Sequence, residues 1–337
     1  MSLVRAADSR PIGLEPTELV EIVSVCDNVT DVLLPDEGPA RRFRGGGGSD
    51  PLPAPLLSTG TAADSPLAQH GYSSLVRVQG ASQRWSILFD TGATPDGCID
   101  NLRRLGIDPD EIDAVVLSHG HYDHVTGLSG LAPVLGPRQV PVVVHPAAFR
   151  ARRFPLPGGG YRELAHLDRA ALEAAGFVVE AHEGPVLLAD DRLLVTGTVD
   201  RHTEFEPGLP GQEALVDDHW QPDAEMPDDQ ALVMDLIDRG LVVMTGCGHS
   251  GIINIARHGR AVTGRDDVHA VMGGFHLGGR LFEPAIGPTV DGLVELEPDV
   301  VVPTHCTGWR AIAAIADALP ESFVHNSVGT TYHLGPS

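Results

Sequence analysis

Residues Leu117–Gly127 read LSHGHYDHVTG. His119, His121, Asp123 and His124 fall within six consecutive positions, after the apolar run AVVL and ahead of a glycine. That run reads as a buried strand ending at Ser118. Side chains two apart in extended chain point the same way, so His119 and His121 share one side. Gly120 lets the backbone pass close by, and Asp123 and His124 fall where the chain turns into a loop or a helix start. Two nitrogen donors on one side and a carboxylate–imidazole pair on the other suit two adjacent metal ions, each needing three or four N/O ligands.

Such a centre needs further ligands from elsewhere in the chain. Two later stretches offer them, VVMTGCGHSGIIN with His249 and VVPTHCTGW with His305. Each places its histidine after a β-type run and before a helix-like one, so all three clusters are expected at one edge of a sheet. His276, in GGFHL, ends another run. It has two readings, a ligand of metal or substrate and a packed histidine bonded to backbone. His70, in QHGYS, is read as structural or pocket-lining, and Arg201 and Thr203 precede an acidic stretch. His182 and His202 are weaker ligand candidates.

Short β-branched runs recur, among them SSLVRV, WSILF, VPVVV, GFVVE, DQALVMDL, GLVVMT, VHAVM and DVVVP. Helix-like segments such as CIDNLRRLG, LDRAALEAAG, GIINIARHG and TGWRAIAAIADALP lie between some of them. Early strands follow one another and later ones alternate with helices, which points to a two-layered sheet core with helices outside. Residues 41–55, RRFRGGGGSDPLPAP, read as a flexible loop. Its glycines lack the lysine of a phosphate-binding loop. Residues 204–229 are acidic and proline-containing, too long for an ordinary connection, and suit a substrate-covering lid.

Composition narrows the function classes. A net charge of −23 over 337 residues argues against nucleic acid, whose binders gain affinity by neutralising phosphates. No apolar run approaches the roughly 18 residues that mark a membrane span, and the opening residues lack the apolar core of a signal peptide. Four scattered cysteines form no disulfide framework and fit a reducing, cytoplasmic setting. A small-molecule substrate is the expected partner, and the oligomeric state is left open. ILFDTGAT resembles an aspartic protease loop, but there is no second Asp-Thr/Ser-Gly to share a proton with Asp90. GHSGI lacks the glycine that a nucleophile elbow needs at Ile252.

In order along the chain, VCDNV, QHGYSSLV, ILFDTG, LSHGHYDHVTGL, DDQALV, TGCGHSGIIN, GGFHL and PTHCTG resemble the metallo-β-lactamase-fold hydrolases. The branch is the one that includes the ribofuranosylaminobenzene-phosphate dihydropterin synthase type. The resemblance implies an α/β fold, the αββα sandwich of two mixed sheets with helices on the outer faces. It also implies an extension over residues 1–22 and a single domain over 23–337, with the insertions at 41–55 and 204–229. Carried over, His119 and His121 match ligands of a first metal, and Asp123, His124 and His305 match those of a second. Asp90 matches the aspartate that orients the site from behind its ligands. Cys247 stands where many relatives have an aspartate, and His249 is taken as the missing ligand of the first metal. Cys247 itself keeps two readings, a soft bridging or single-metal ligand and a small buried residue.

The resemblance implies two divalent ions, zinc first with Mn2+ or Fe2+ as alternatives. The expected function is hydrolysis of a small ester, lactone or phosphoester by a metal-bridged hydroxide, with Asp123 as both ligand and proton acceptor. Two other readings stand beside it, a dihydropterin synthase-like condensation of a pterin with a ribosyl-phosphate arene and a non-catalytic metal-binding protein of the same fold.

Overall fold

Alternation along the strands shows how the layers form in the computed structural model, which describes residues 3–7, 11–45, 50–80 and 82–336. In Val20–Cys26, Val20 and Ile22 face one apolar cluster while Val23 and Val25 face another. The same split occurs in Arg84–Phe89, where Ile87 and Phe89 part from Leu88. In Ala231–Leu236 it separates Leu232 and Met234 from Ala231 and Val233. Strands that are apolar on both faces must be covered on both faces. The shared cluster therefore lies between two sheets, and the other two lie under helices on the outside.

The first sheet has eight strands, in the order Val178–Ala181, Pro141–Val144, Ala114–Val116, Arg84–Phe89, Ser73–Gln79, Val20–Cys26, Thr331–Leu334 and Ala40–Arg41. The second has seven, Arg5–Ala6, Val186–Leu188, Leu193–Val195, Ala231–Leu236, Gly240–Thr245, Val268–Gly274 and Val300–Thr304. Helices Gly97–Arg104, Leu128–Leu135 and Arg169–Ala174 bury Leu102, Leu131 and Leu172 against the first sheet. Helices Ile252–Thr263, Ile286–Leu296 and Trp309–Ala318 bury Ile253, Leu293 and Ile315 against the second. This is the αββα sandwich that the motifs imply. None of these helices is long and apolar enough to cross a membrane.

Within each sheet the strands towards one end run parallel. Arg84–Phe89 pairs parallel with Ala114–Val116, and that strand with Pro141–Val144. Gly240–Thr245, Val268–Gly274 and Val300–Thr304 are likewise parallel neighbours. Their carboxyl ends deliver Asp90, His119, Cys247, His276 and His305 to one edge, where crevices form in open α/β sheets.

Two features differ from the sequence reading. Strand Val20–Cys26 runs across the boundary drawn at residue 23, and Arg5–Ala6 pairs with Val186–Leu187, which sets residues 5–6 at the edge of the second sheet. Stretch 204–229 is not plain loop. It carries the hairpin Glu213–Val216/His219–Pro222, which joins Arg152–Pro155 and Tyr161–Leu164 in a four-stranded antiparallel sheet. The Arg153 guanidinium lies between the Tyr161 and Trp220 rings, 3.5 and 4.0 Å from their centroids. Of the loop at 41–55, residues 46–49 lie outside the described residues.

Candidate metal centre

The motif is held from both sheets. Ser118 N–H donates to Asp90 Oδ1 at 2.7 Å, and from the second sheet Gln230 donates its backbone N–H to Ser118 O and its side-chain amide to Leu117 O. A Cβ on Gly120 would overlap the Ala148 carbonyl, so only glycine fits between the two histidines. His121 caps the single helical turn Tyr122–Val125, which sets Asp123 and His124 on the inner side.

The imidazoles of His119, His121, His124 and His305 are each oriented by a bond on one nitrogen, leaving the other turned inward. His119 Nδ1 meets Ser118 Oγ at 2.8 Å, and its Nε2 lies 3.1 Å from His121 Nδ1. His121 Nε2–H donates to Gln212 Oε1 at 2.9 Å. His124 Nδ1–H donates to Asp90 Oδ2 at 2.7 Å, and His305 Nδ1–H to Asn28 Oδ1 at 3.2 Å. Asp27 accepts the His305 backbone N–H, which is what VCDNV contributes. Metal-ligating histidines characteristically have their other ring nitrogen held by a partner in this way.

The ligating atoms gather in overlapping groups, each within 4.8 Å: His119, His121 and His249; Asp123, His124 and His305; His119, His124 and Cys247; Cys247, His249 and His276; Cys247, His305 and Cys306. His124 Nε2, both nitrogens of His249, His276 Nε2, His305 Nε2 and Asp229 Oδ1 are buried without a hydrogen-bond partner. Each such group costs about 1–3 kcal/mol unless something satisfies it. Their concentration at one point, in sets of three N, O or S donors, fits a divalent cation.

Charge divides the centre. Burial and the surrounding imidazoles push His119 and His249 well below the ordinary histidine range. Burial, with the Arg152 guanidinium beside it, pushes His121 down to about 4. These three rings are neutral at pH 7 and present lone pairs. Burial also works against a charge on His124, but the Asp90 and Asp123 carboxylates outweigh it and raise this imidazole to about 9. Burial alone would raise Asp123, yet His124 and His305 hold it below the usual carboxylate range.

His119, His121, Asp123, His124, Cys247, His249 and His305 are all in this cluster, with Asp90 directly behind it. His276 is there too, edge-on to Phe282 at 4.5 Å between centroids, with Nδ1 3.4 Å from Cys247 Sγ. His70 stands at the rim, half open to solvent, 3.6 Å from Asp123 Oδ2. His182 and His202 join none of the groups, His182 meeting Glu180 instead. Arg201 donates to the carbonyls of Glu206, Glu225 and His249 and so ties the acidic stretch to the His249 loop. Sequence reading missed Cys306, whose Sγ lies 2.9 Å from Cys247 Sγ, although it adjoins His305 in PTHCTG. It also missed Asn28, Asp229 and Gln212. None of these carries a local signal that tells a supporting polar residue from a solvated one.

The model of the metallo-beta-lactamase superfamily matches residues 69–305. A relative in Methanocaldococcus jannaschii, 7,8-dihydropterin-6-methyl-4-(beta-D-ribofuranosyl)-aminobenzene-5'-phosphate synthase, is 26% identical over 261 residues, covering 76% of this chain and 87% of its own length. An uncharacterized protein of the same archaeon is 30% identical over 277 residues, covering 81% of this chain and 97% of its own. Among solved structures, Tm1679, described as a metal-dependent hydrolase of the beta-lactamase superfamily, superposes with a TM-score of 0.69 at 24% identity. That superposition covers 94% of this chain and all of the other, a likeness of fold.

Proposed function

The chain belongs to the metallo-beta-lactamase superfamily, and from that premise we propose that it is a metal-dependent hydrolase of a small ester, lactone or phosphoester. The observation that carries this reading is the convergence of partnerless, buried imidazole nitrogens on two three-residue donor groups, linked by a third group of His119, His124 and Cys247. His119 Nε2, His121 Nδ1 and His249 would hold one ion, and Asp123, His124 Nε2 and His305 Nε2 a second. Cys247 belongs to groups with members of both, which favours a ligand role for it over mere packing. Divalent ions bound there, zinc foremost with Mn2+ or Fe2+ as alternatives, supply Lewis acidity and a nucleophile available at neutral pH.

The protein's own groups do the rest. Asp90 and Asn28 fix the tautomers of His124 and His305. Asp123 stays ionised, 3.4 Å from His305 Nε2, and is the group placed to accept a proton from the attacking water and pass it towards His70 and solvent. His276, at the wall beyond His249, is positioned to meet a polar group of the substrate.

Similarity to the archaeal synthase supports a second reading, condensation of a pterin with a ribosyl-phosphate arene. Elemental analysis followed by ester, lactone and phosphodiester substrates tests the first reading, and a pterin fluorescence titration tests the second. In His121→Ala, metal content and turnover are expected to fall together; full metal and full turnover in that variant would overturn the scheme. A protein that binds metal and turns over nothing would leave a non-catalytic metal-binding role.

A further inference from the structure

The small four-stranded sheet touches the centre through one circuit of buried polar side chains. Gln212 immediately precedes strand Glu213–Val216 and accepts from His121 Nε2–H at 2.9 Å. Its amide Nε2 donates to Asp223 Oδ2 at 3.1 Å. The same Asp223 oxygen accepts from Arg152 Nε at 2.8 Å. Arg152 also grips Asp228, with Nη1 donating to Oδ2 at 3.0 Å and a still closer contact from Nη2 to Oδ1. Asp228 Oδ2 accepts the Gly120 N–H at 2.9 Å, which returns the circuit to the residue before His121. Gln212, Arg152, Asp223 and Asp228 are all nearly inaccessible to solvent.

We propose that Gln212 is a positioning residue for His121, and that the small sheet exists in part to hold it there. Gln212 Oε1 can only accept, so it selects the His121 tautomer with the proton on Nε2 and the lone pair on Nδ1, facing His119 Nε2. A flexible lid would let that acceptor wander. The circuit prevents this, because both functions of the Gln212 amide are engaged and Arg152 clamps Asp223, which holds that amide, together with Asp228, which holds the motif loop at Gly120. Rotating Gln212 by a half-turn would set its NH2 against the His121 N–H and its oxygen against Asp223, so one orientation is locked.

The inference rests on His121 being a ligand, and its test separates the two claims. Co2+ affinity is measured on the full-length protein by competition with a chromophoric chelator, for wild type, His121→Ala, Gln212→Leu and Gln212→Glu. Removing an outer-shell partner of a metal-bound histidine weakens binding about 10–100-fold, and that loss is expected for Gln212→Leu. Gln212→Glu keeps an oxygen for His121 and, when protonated, a donor for Asp223, so it should restore affinity to near wild type. An unchanged affinity in Gln212→Leu, with His121→Ala weakened, would overturn the role of Gln212 alone. Equal weakness in the Leu and Glu variants would overturn it as well, since a merely structural contact has no need of an acceptor. Wild-type affinity in His121→Ala would overturn the ligand reading itself. Should Gln212→Leu fail to fold, Gln212→Asn, whose oxygen falls short of His121, takes its place against Gln212→Glu with the same expected contrast.

Discussion

Three residues of the centre, Asp90, His276 and His305, have left-handed backbone with φ of 59°, 48° and 47°. Outside glycine such conformations cost of order 1–3 kcal/mol and persist only where surrounding contacts over-determine them. At Asp90 those contacts are visible, because its two oxygens receive Ser118 N–H, Ser118 Oγ–H and His124 Nδ1–H. Asp90→Asn tests this cleanly, since asparagine tolerates the same backbone. Its NH2 would have to face one of those donors. We expect a stability loss of about 1–3 kcal/mol in urea unfolding, and metal binding about 10–100-fold weaker by chelator competition. At this scale the sequence was informative for ligands and poor for their supports. FDTG and HxHxDH are contiguous patterns, whereas Asn28 and Gln212 acquire their roles only by meeting His305 and His121 across the fold.

The loops that leave parallel strands do the work at the scale of elements. Strand Gly240–Thr245 ends at Gly246, where an added Cβ would overlap the Ser118 hydroxyl and the Asp90 carboxylate. The two sheets approach here so closely that no side chain fits. Gly246→Ala is expected to destabilise by about 1–3 kcal/mol through overpacking, and to lose metal through displacement of Asp90 and thence His124. Equilibrium unfolding and metal content of the same sample check both effects, and wild-type values for both would contradict the close approach. Most strands and helices were readable from the sequence, because period-two and period-3.6 burial leave local marks. The small sheet was not. Its strands are short and largely polar, and Arg152 is partnered by Ala214, a residue far along the chain.

For the whole molecule, the apolar core and the candidate metal centre are separate. None of the candidate ligands belongs to the three hydrophobic clusters, which pack between the sheets and beneath the helices. Folding should therefore survive metal removal. After treatment with a chelator we expect far-ultraviolet circular dichroism to be unchanged while the melting temperature falls. An ion present at 100 times its Kd contributes about 2.7 kcal/mol. For a chain of this size that amounts to a fall of several degrees. Unfolding on chelation would instead show that the ion holds the sheets together.

The sequence by itself determined the layers and the cluster of donor side chains. Strands apolar on both faces demand cover on both, and three histidines with an aspartate at strand-end spacing are local patterns that need no partner to be recognised. Only the tertiary structure decided which distant strand ends meet. It brought Cys306 against Cys247, left Arg201 occupied with carbonyls, and closed the path from His121 through Gln212 and Arg152 back to Gly120. Those choices rest on long-range pairing and on the cost of leaving buried polar atoms unmatched, a condition that is set by position in space and not by neighbours in the chain.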